Sequence, residues 1–395
     1  MTFEAATAAG PLSDLVVLDL TRALAGPHAA MMLGDLGARV IKVESPDGGD
    51  DTRSWGPPFV GEGESRESTY FLAANRNKES ITLDLKSDEG RELLARLVDR
   101  SDVLIENFRV GVLDRLGFGV ERLRELNPRL VLLSITGFGH DGPEASRPGY
   151  DQIAQGEGGL MSLTGAEQPT KVGVPIADLL AGMNGAYGVL AALHERERTG
   201  LGRVVRTSLL AGVVGVHAFQ GTRWTVAGEV PGLSGAHHPS IAPYGMFATR
   251  TAPVQVACGA EGLWRAFAEA VGLDATDGRF ATNADRVAHR DQLTALIEEV
   301  FATADAEHWL ERLAATGVPA GKVRTLDDVY SWEQTRSQGL LLSVEHPTQG
   351  TLELPGSAIR FDDNAYSGGR ATHLPPPTLG QHNEAIRAWL DESRD

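Results

Sequence analysis

The residues best able to do chemistry in this 395-residue sequence are two aspartates 27 positions apart, Asp151 and Asp178. Asp178 lies in KVGVPIADLLAGMNGAYGVLAALHERERTGLGR, where an apolar run enters a long predicted helix and no adjacent cation neutralises it. Aspartate is a favoured N-cap, because its side chain accepts hydrogen bonds from first-turn amides. The helix dipole would keep a carboxylate there ionised, and an ionised, accessible carboxylate is a competent nucleophile. The residue alone allows both readings. Asp151, in RPGYDQIAQGEGGLMSLTG, permits a division of labour in which one acid attacks and the other orients or moves a proton. Its Gly and Pro neighbours equally suit a turn or a cap. Beyond Asp178 come Ala181, Gly182, Gly185, Ala186 and Gly188, and each glycine costs about 1 kcal/mol of helix propensity relative to alanine. Such a face serves either close helix packing or the close approach of a bulky ligand.

Basic residues gather at Arg22, at Arg76 and Lys78 in ANRNKES, and at Arg109 and Arg115 in ENFRVGVLDRLGFG. Placed after strands of an open α/β sheet, they would form a phosphate-binding rim. The formal net charge of -17 argues against nucleic acid as a partner, and with the surplus acidic, an anionic ligand needs such a local rim. The adjacent His237 and His238 of AHHP have no third ligand at suitable spacing, so no metal is expected. The single cysteine, Cys258, cannot form an internal disulfide, and the first residues lack the charged and apolar regions of a secretory signal. No apolar run reaches the roughly 18 residues of a membrane span. With 42% hydrophobic and 23% charged residues, the expectation is a cytoplasmic globular protein with no membrane partner.

The hydrophobic pattern indicates which elements position these groups. Short apolar runs alternate with amphipathic stretches in the first half, the signature of βαβ units and a mostly parallel sheet. Strands are predicted over 15–20, 38–44, 101–107 and 129–137. Helices are predicted from about Pro27 and over SDEGRELLARLVDR, where Leu93, Leu94, Leu97 and Val98 recur at helical spacing. The first strand-to-helix connection, TRALAGP, lacks G-x-G-x-x-G, which argues against a nicotinamide dehydrogenase. RVVRTSLLAGVVGVHAFQ reads as a strand leading into a buried helix, and the Gly, Pro and His-rich AGEVPGLSGAHHPSIAPYG follows as a loop. The expected organisation is a large α/β domain begun by residues 1–225, a smaller α+β domain over 226–330 and a return to the large domain over 331–395.

Several segments, in this order, resemble the family III CoA-transferases, the group that contains formyl-CoA transferase and the related α-methylacyl-CoA racemases. They include PLSDLVVLDLTRALAGPHAAMMLGDLGARVIKVESPDGGD, ANRNKESITLDLKSDEGRELL, DVLIENFRVGVLDRLGFG, GVPIADLLAGMNGAYGVLAALHERERTGLG and PPPTLGQHNEAI. The resemblance implies a Rossmann-like large domain, a smaller α+β domain and a homodimer of two ring-shaped, interlocked subunits. It implies CoA transfer between an acyl-CoA and a small carboxylic acid, expected to be a dicarboxylate, with Asp178 as nucleophile and no cofactor beyond CoA as substrate; the alternatives are an α-methylacyl-CoA racemase and a catalytically silent acyl-CoA-binding protein. Arg22, Ala23, Leu24, Ala25, Lys78, Asn107, Phe108, Arg109 and Arg115 would hold CoA. Tyr150 and Asp151 would lie at the acyl site, Asp151 and Glu261 would be the candidates for proton transfer, and the loop from Gly232 to His238 would close over the intermediate. Leu24 stands where formyl-CoA transferase has glutamine, which argues against a formyl or oxalate substrate. Tyr150 stands where the racemases carry histidine, which argues against racemisation.

Overall fold

A computed structural model of the chain describes residues 10–362 and 366–393. The chain forms two compact units, one of Met1–Leu160, Val172–Thr222 and Tyr330–Asp395, the other of Met161–Lys171 and Arg223–Val329. The short segment Met161–Lys171 thus groups with the smaller unit, an excursion that no composition shift in the sequence announces.

In the first unit the apolar runs become six strands: β1 (Val16–Asp19), β2 (Arg39–Glu44), β3 (Lys78–Thr82), β4 (Val103–Glu106), β5 (Val131–Thr136) and β6 (Val204–Ser208). All neighbours pair in parallel, in the order β3-β2-β1-β4-β5-β6. This is the doubly wound Rossmann order. Because side chains alternate along each strand, Val17, Val40, Val103, Ile105 and Leu133 supply one buried layer and Leu18, Ile41, Ile81, Leu104 and Leu132 the other. Helices α1 (Ala25–Asp35), α2 (Asp88–Asp99), α3 (Asp151–Glu157), α4 (Ile176–Thr199) and α5 (Leu209–Gly215) accompany the sheet. The layer of Val17 is shared with α1, α4 and α5; that of Leu18 with α2 and the C-terminal helix Asn383–Asp391.

Strand β3 is the element that the sequence reading takes for a basic loop. Its residues, KESIT, are polar enough to look exposed, yet Lys78, Glu79 and Ser80 are buried and paired. Its outer edge is closed by His382 and Asn383, 302 and 301 positions further along. His382 N–H donates to the Ser80 carbonyl (2.9 Å), Ser80 N–H to His382 Nδ1 (3.1 Å) and Thr82 N–H to Asn383 Oδ1 (2.8 Å).

Helix α4 also differs from expectation, since by length and composition it could cross a membrane. Its small residues are occupied by protein instead. A Cβ on Gly182 would lie 2.6 Å from the Ala25 carbonyl oxygen, and one on Gly185 would lie 2.9 Å from Leu133 Cδ2. Of the two uses open to this face, close packing is the one the structure shows.

The second unit has an antiparallel sheet of Tyr244–Phe247, Val254–Ala257 and Ala320–Lys322. Helices Glu261–Val271, Arg290–Phe301 and Ala306–Ala315 enclose its core, in which Phe301 stacks on Trp309 with ring centroids 4.9 Å apart.

Candidate active site

In a doubly wound sheet, ligands bind outside the carboxyl ends of the strands where the connections reverse direction, here between β1 and β4. A cleft of about 1200 Å³ opens along that edge, lined by residues at or beyond the ends of β1 to β5. The connections beyond β1 and β4 are tied together across the reversal. Arg22 N–H donates to Asn107 Oδ1 (3.0 Å), and Asn107 Nδ2 donates to the Arg22 carbonyl (2.7 Å). Ala23 takes a left-handed φ of 64°, unusual for a residue with a Cβ, and its N–H donates to Asp50 Oδ1 (3.2 Å).

Beneath this loop lies a buried ionic cluster. Lys42 Nζ meets Asp50 Oδ2 at 2.9 Å and donates to the Thr21 carbonyl at 2.9 Å. Lys78 Nζ donates to Asp19 Oδ2, the Pro27 carbonyl and Asn75 Oδ1, each at 2.9 Å. Burial alone would raise the Asp19 carboxyl, but Lys42 and Lys78 outweigh it and bring it down to about 2. Burial, only partly offset by Asp19, lowers the Lys78 ammonium to about 8. The cluster holds the Thr21–Leu24 backbone in place from below.

The two aspartates meet at the wall of the cleft. Asp178 is the third residue of α4 and does not cap it, because the N-cap position is Pro175 and no side-chain cap bond is present. The cap comes from another helix: Asp151, the first residue of α3, accepts the N–H of Ala177 (2.8 Å) and, at longer range, that of Asp178 (3.4 Å) on Oδ1. The Asp178 carboxylate itself accepts no hydrogen bond from the described residues. Burial, reinforced by the charge of Asp151, pushes its carboxyl up to about 7. That corrects the expectation of a permanently ionised acid, since at this site desolvation outweighs the helix dipole.

Arg22, Ala23, Leu24, Ala25, Asn107, Phe108, Arg109, Tyr150, Asp151 and Asp178 all line the cleft. Lys78 does not, and its three hydrogen bonds leave its ammonium no freedom to reach a ligand. Arg76 is likewise buried against Asp35, with Nε 2.8 Å from Oδ1. Arg115 lies outside the lining, its guanidinium beside Gly111. Sequence reasoning missed Lys86 and Arg147, which also line the cleft. Lys86 follows the unrecognised strand β3. Arg147 pairs with Glu144 and Glu157 and lies over the Phe138 ring at 4.7 Å. Tyr70 and Trp55 were missed as well; they pack edge to face at 5.0 Å, and burial, with the charges of Asp178 and Asp151, raises the Tyr70 phenol.

Glu261 and the Gly232–His238 loop belong to the smaller unit. Glu261 accepts the buried Arg286 guanidinium on both oxygens, at 2.8 and 3.1 Å. His238 stacks on Tyr244 at 5.1 Å. Among the described residues no group of three or more His, Cys, Asp or Glu side chains is arranged to hold a metal ion.

A sequence profile of CoA-transferase family III matches residues 12–383. The chain is 37% identical over 380 residues to a succinyl-CoA:glutarate CoA-transferase of Homo sapiens, covering 95% of this chain and 85% of that protein. It is 38% identical over 385 residues to an acetyl-CoA:oxalate CoA-transferase of Acetobacter aceti, covering 96% and 95%. A crystal structure of a CaiB/BaiF family protein from Brucella suis is 43% identical and superposes with a TM-score of 0.86, covering 97% of this chain and 100% of that one. By profile, identity and fold together, the chain belongs to CoA-transferase family III.

Proposed function

We infer that this enzyme moves CoA from an acyl-CoA to a dicarboxylic acid, with Asp178 as the nucleophile. The observation that carries the reading is a half-buried carboxylate on the wall of a carboxyl-edge cleft, free of hydrogen bonds from the described residues and raised to about 7. At neutral pH a large fraction of Asp178 is ionised, and a poorly solvated carboxylate is more basic and more nucleophilic than one in water.

The Asp178 carboxylate attacks the thioester carbonyl, forming a mixed anhydride as the C–S bond breaks and CoA leaves as thiolate. The thiolate then attacks the Asp178 carbonyl carbon, giving an aspartyl-CoA thioester and releasing the donor acid. An acceptor carboxylate attacks that thioester, forms the second mixed anhydride and expels the thiolate again. Attack of the thiolate on the acceptor acyl carbon yields the new acyl-CoA and restores Asp178. Arg22, Arg109 and Lys86 are the cleft cations available to CoA phosphates and to the second carboxylate of the acceptor. The dicarboxylates in the names of the human and Acetobacter relatives support that acceptor class.

The working particle is a cytoplasmic homodimer of interlocked rings, as the family resemblance implies. Exposed Met183 and Tyr187 on α4, with Val214, Val216 and Phe219 at and beyond α5, offer apolar surface for a second copy. Wild-type enzyme incubated with a donor acyl-CoA should accumulate an adduct on the peptide carrying Asp178, trappable with hydroxylamine and located by mass spectrometry. Asp178→Asn should bind CoA and transfer nothing. An active Asp178→Asn enzyme, checked for deamidation, would remove the nucleophile.

A further inference from the structure

We propose that Gln155 is a positioning residue for Asp178 and acts through Asp151: its buried amide clamps the Asp151 carboxylate where that carboxylate closes the N-terminus of α4 and stands against the reacting acid. The inference rests on the reading of Asp178 as nucleophile.

Asp151 and Gln155 stand four residues apart on α3, hence on one face of the helix. Gln155 has no exposed surface. Its Oε1 accepts the Val172 N–H at 2.9 Å, and its Nε2 donates to Asp151 Oδ2 at 2.7 Å. The amide cannot be turned round, because a backbone N–H only donates and an ionised carboxylate only accepts. The other oxygen of Asp151 takes the first-turn amides of α4, Ala177 closely and Asp178 at longer range. Those amides require an outside acceptor, since Pro175 at the N-cap position has no side chain able to serve. One chain of contacts therefore runs from Val172 N–H through Gln155 and Asp151 to the backbone of the nucleophile.

The chemical type of residue 155 matters as much as its position. A cation there would fix Asp151 but cancel its charge, and a carboxylate would repel it. A neutral donor holds the anion and leaves its field intact, so Asp178 stays basic. Of the other titratable groups on the packed elements, Tyr70 feels both acids, its phenol raised by burial and by their charges; His28 on α1 lies against Gly182, one turn further along α4, and burial, with Arg76, lowers it to about 4; and β6, also packed on α4, carries Arg206. Helix α5, also packed on α4, carries no titratable side chain.

Three variants, Gln155→Met, Gln155→Glu and Asp151→Asn, test this in the full-length enzyme by quenched single-turnover loading of Asp178 from acyl-CoA, by kcat and KM, and by the acid limb of kcat/KM against pH. Gln155→Met should load Asp178 about tenfold or more slowly, with KM for acyl-CoA changed by less than about twofold. Gln155→Glu adds a second anion and should move the acid limb up by about one pH unit; Asp151→Asn, which removes one, should move it down. A purely structural glutamine would lower the melting temperature and leave both the limb and the loading rate of folded enzyme where they were, which overturns the proposal. Should Gln155→Met fail to fold, the opposite displacements in the other two variants decide the matter, and an unmoved limb in both refutes it. If Asp178→Asn is inactive while the Gln155 variants behave as wild type, this inference alone falls. If Asp178→Asn transfers CoA, the nucleophile falls and takes this inference with it.

Discussion

Asp178→Asn should make the protein more stable at alkaline pH while abolishing its activity. Burial, with Asp151, raises the Asp178 carboxyl from 3.8 to about 7. At about 1.36 kcal/mol per unit, about three units make roughly 4 kcal/mol that the native state loses on holding this acid ionised. The sign follows from proton binding. Between about pH 4 and pH 7 the native protein holds this proton more tightly than the unfolded chain, so stability falls as pH rises through that window and levels off above it. The cost is small near pH 4, about 1.6 kcal/mol at pH 5 and about 4 kcal/mol at pH 8, and solvent relaxation roughly halves each figure. Asparagine has nearly the same shape and no charge, and it surrenders no cap, since Pro175 occupies that position and Asp151 supplies the acceptor. Melting temperatures of wild type and variant, without ligand, at pH 5 and pH 8 isolate the effect, because titrating groups that do not interact with Asp178 cancel in the difference, and Tyr70, raised above its usual range, titrates above both. The variant should gain a few degrees over wild type at pH 8 and less at pH 5, by a mass-verified protein that no longer transfers CoA. A variant less stable than wild type at pH 8, or a gap that does not change with pH, would refute the reasoning and show that holding the Asp178 carboxylate ionised costs the fold nothing.

Three further outcomes follow from the geometry. Lys78→Met should cost about 3–5 kcal/mol by urea denaturation, because Asp19 is left as a buried anion with one partner fewer; a loss below about 1 kcal/mol would show that the cluster does not depend on it. Lys86→Ala and Arg109→Ala should each weaken CoA binding about three- to tenfold by calorimetry in low salt, an effect that fades near 0.5 M salt as exposed charges are screened. Salt-independent losses would point to a different contact. Gly182→Ala should lower stability by about 1–3 kcal/mol and kcat with it, because the new methyl group forces α4 away from the Ala25 carbonyl oxygen; unchanged kcat would uncouple that packing from Asp178.

Much of the sheet is legible in the sequence for one physical reason: strands covered on both faces are rich in apolar residues, as Val16–Asp19, Val103–Glu106 and Val131–Thr136 are, while Arg39–Glu44 keeps Val40, Ile41 and Val43 between its charged residues. Lys78–Thr82 breaks the pattern because its buried charges are matched by ions from elsewhere in the chain: Asp19 for Lys78 and, at 2.7 Å, Arg39 for Glu79. No local pattern announces a partner 59 residues away. The same blindness explains why Lys78 reads as a rim cation when it is a foundation for the loop above, and why Lys86, beyond the unseen strand, goes unnoticed. Asp178 stands out in the sequence as an acid entering an apolar helix. That its cap comes from Asp151 and that Gln155 secures Asp151 depend on how α3 packs on α4, and the four-residue spacing from Asp151 to Gln155 was the only hint.

Closure of the outer edge of β3 by His382 and Asn383 has a consequence for how the protein is made. Ser80 and its partner are 302 positions apart, so a ribosome adding about 5–20 residues per second leaves that edge without its natural cover for about 15–60 s. Throughout that time the nascent sheet presents unpaired amides and carbonyls, a template for pairing with a neighbouring chain. A polypeptide that stops before His382 would carry Asp151, Asp178 and the whole cleft, yet with a sticky margin. Such products should be found with chaperones or in aggregates, and a fusion partner placed at the C-terminus needs a linker long enough to let the last helix dock.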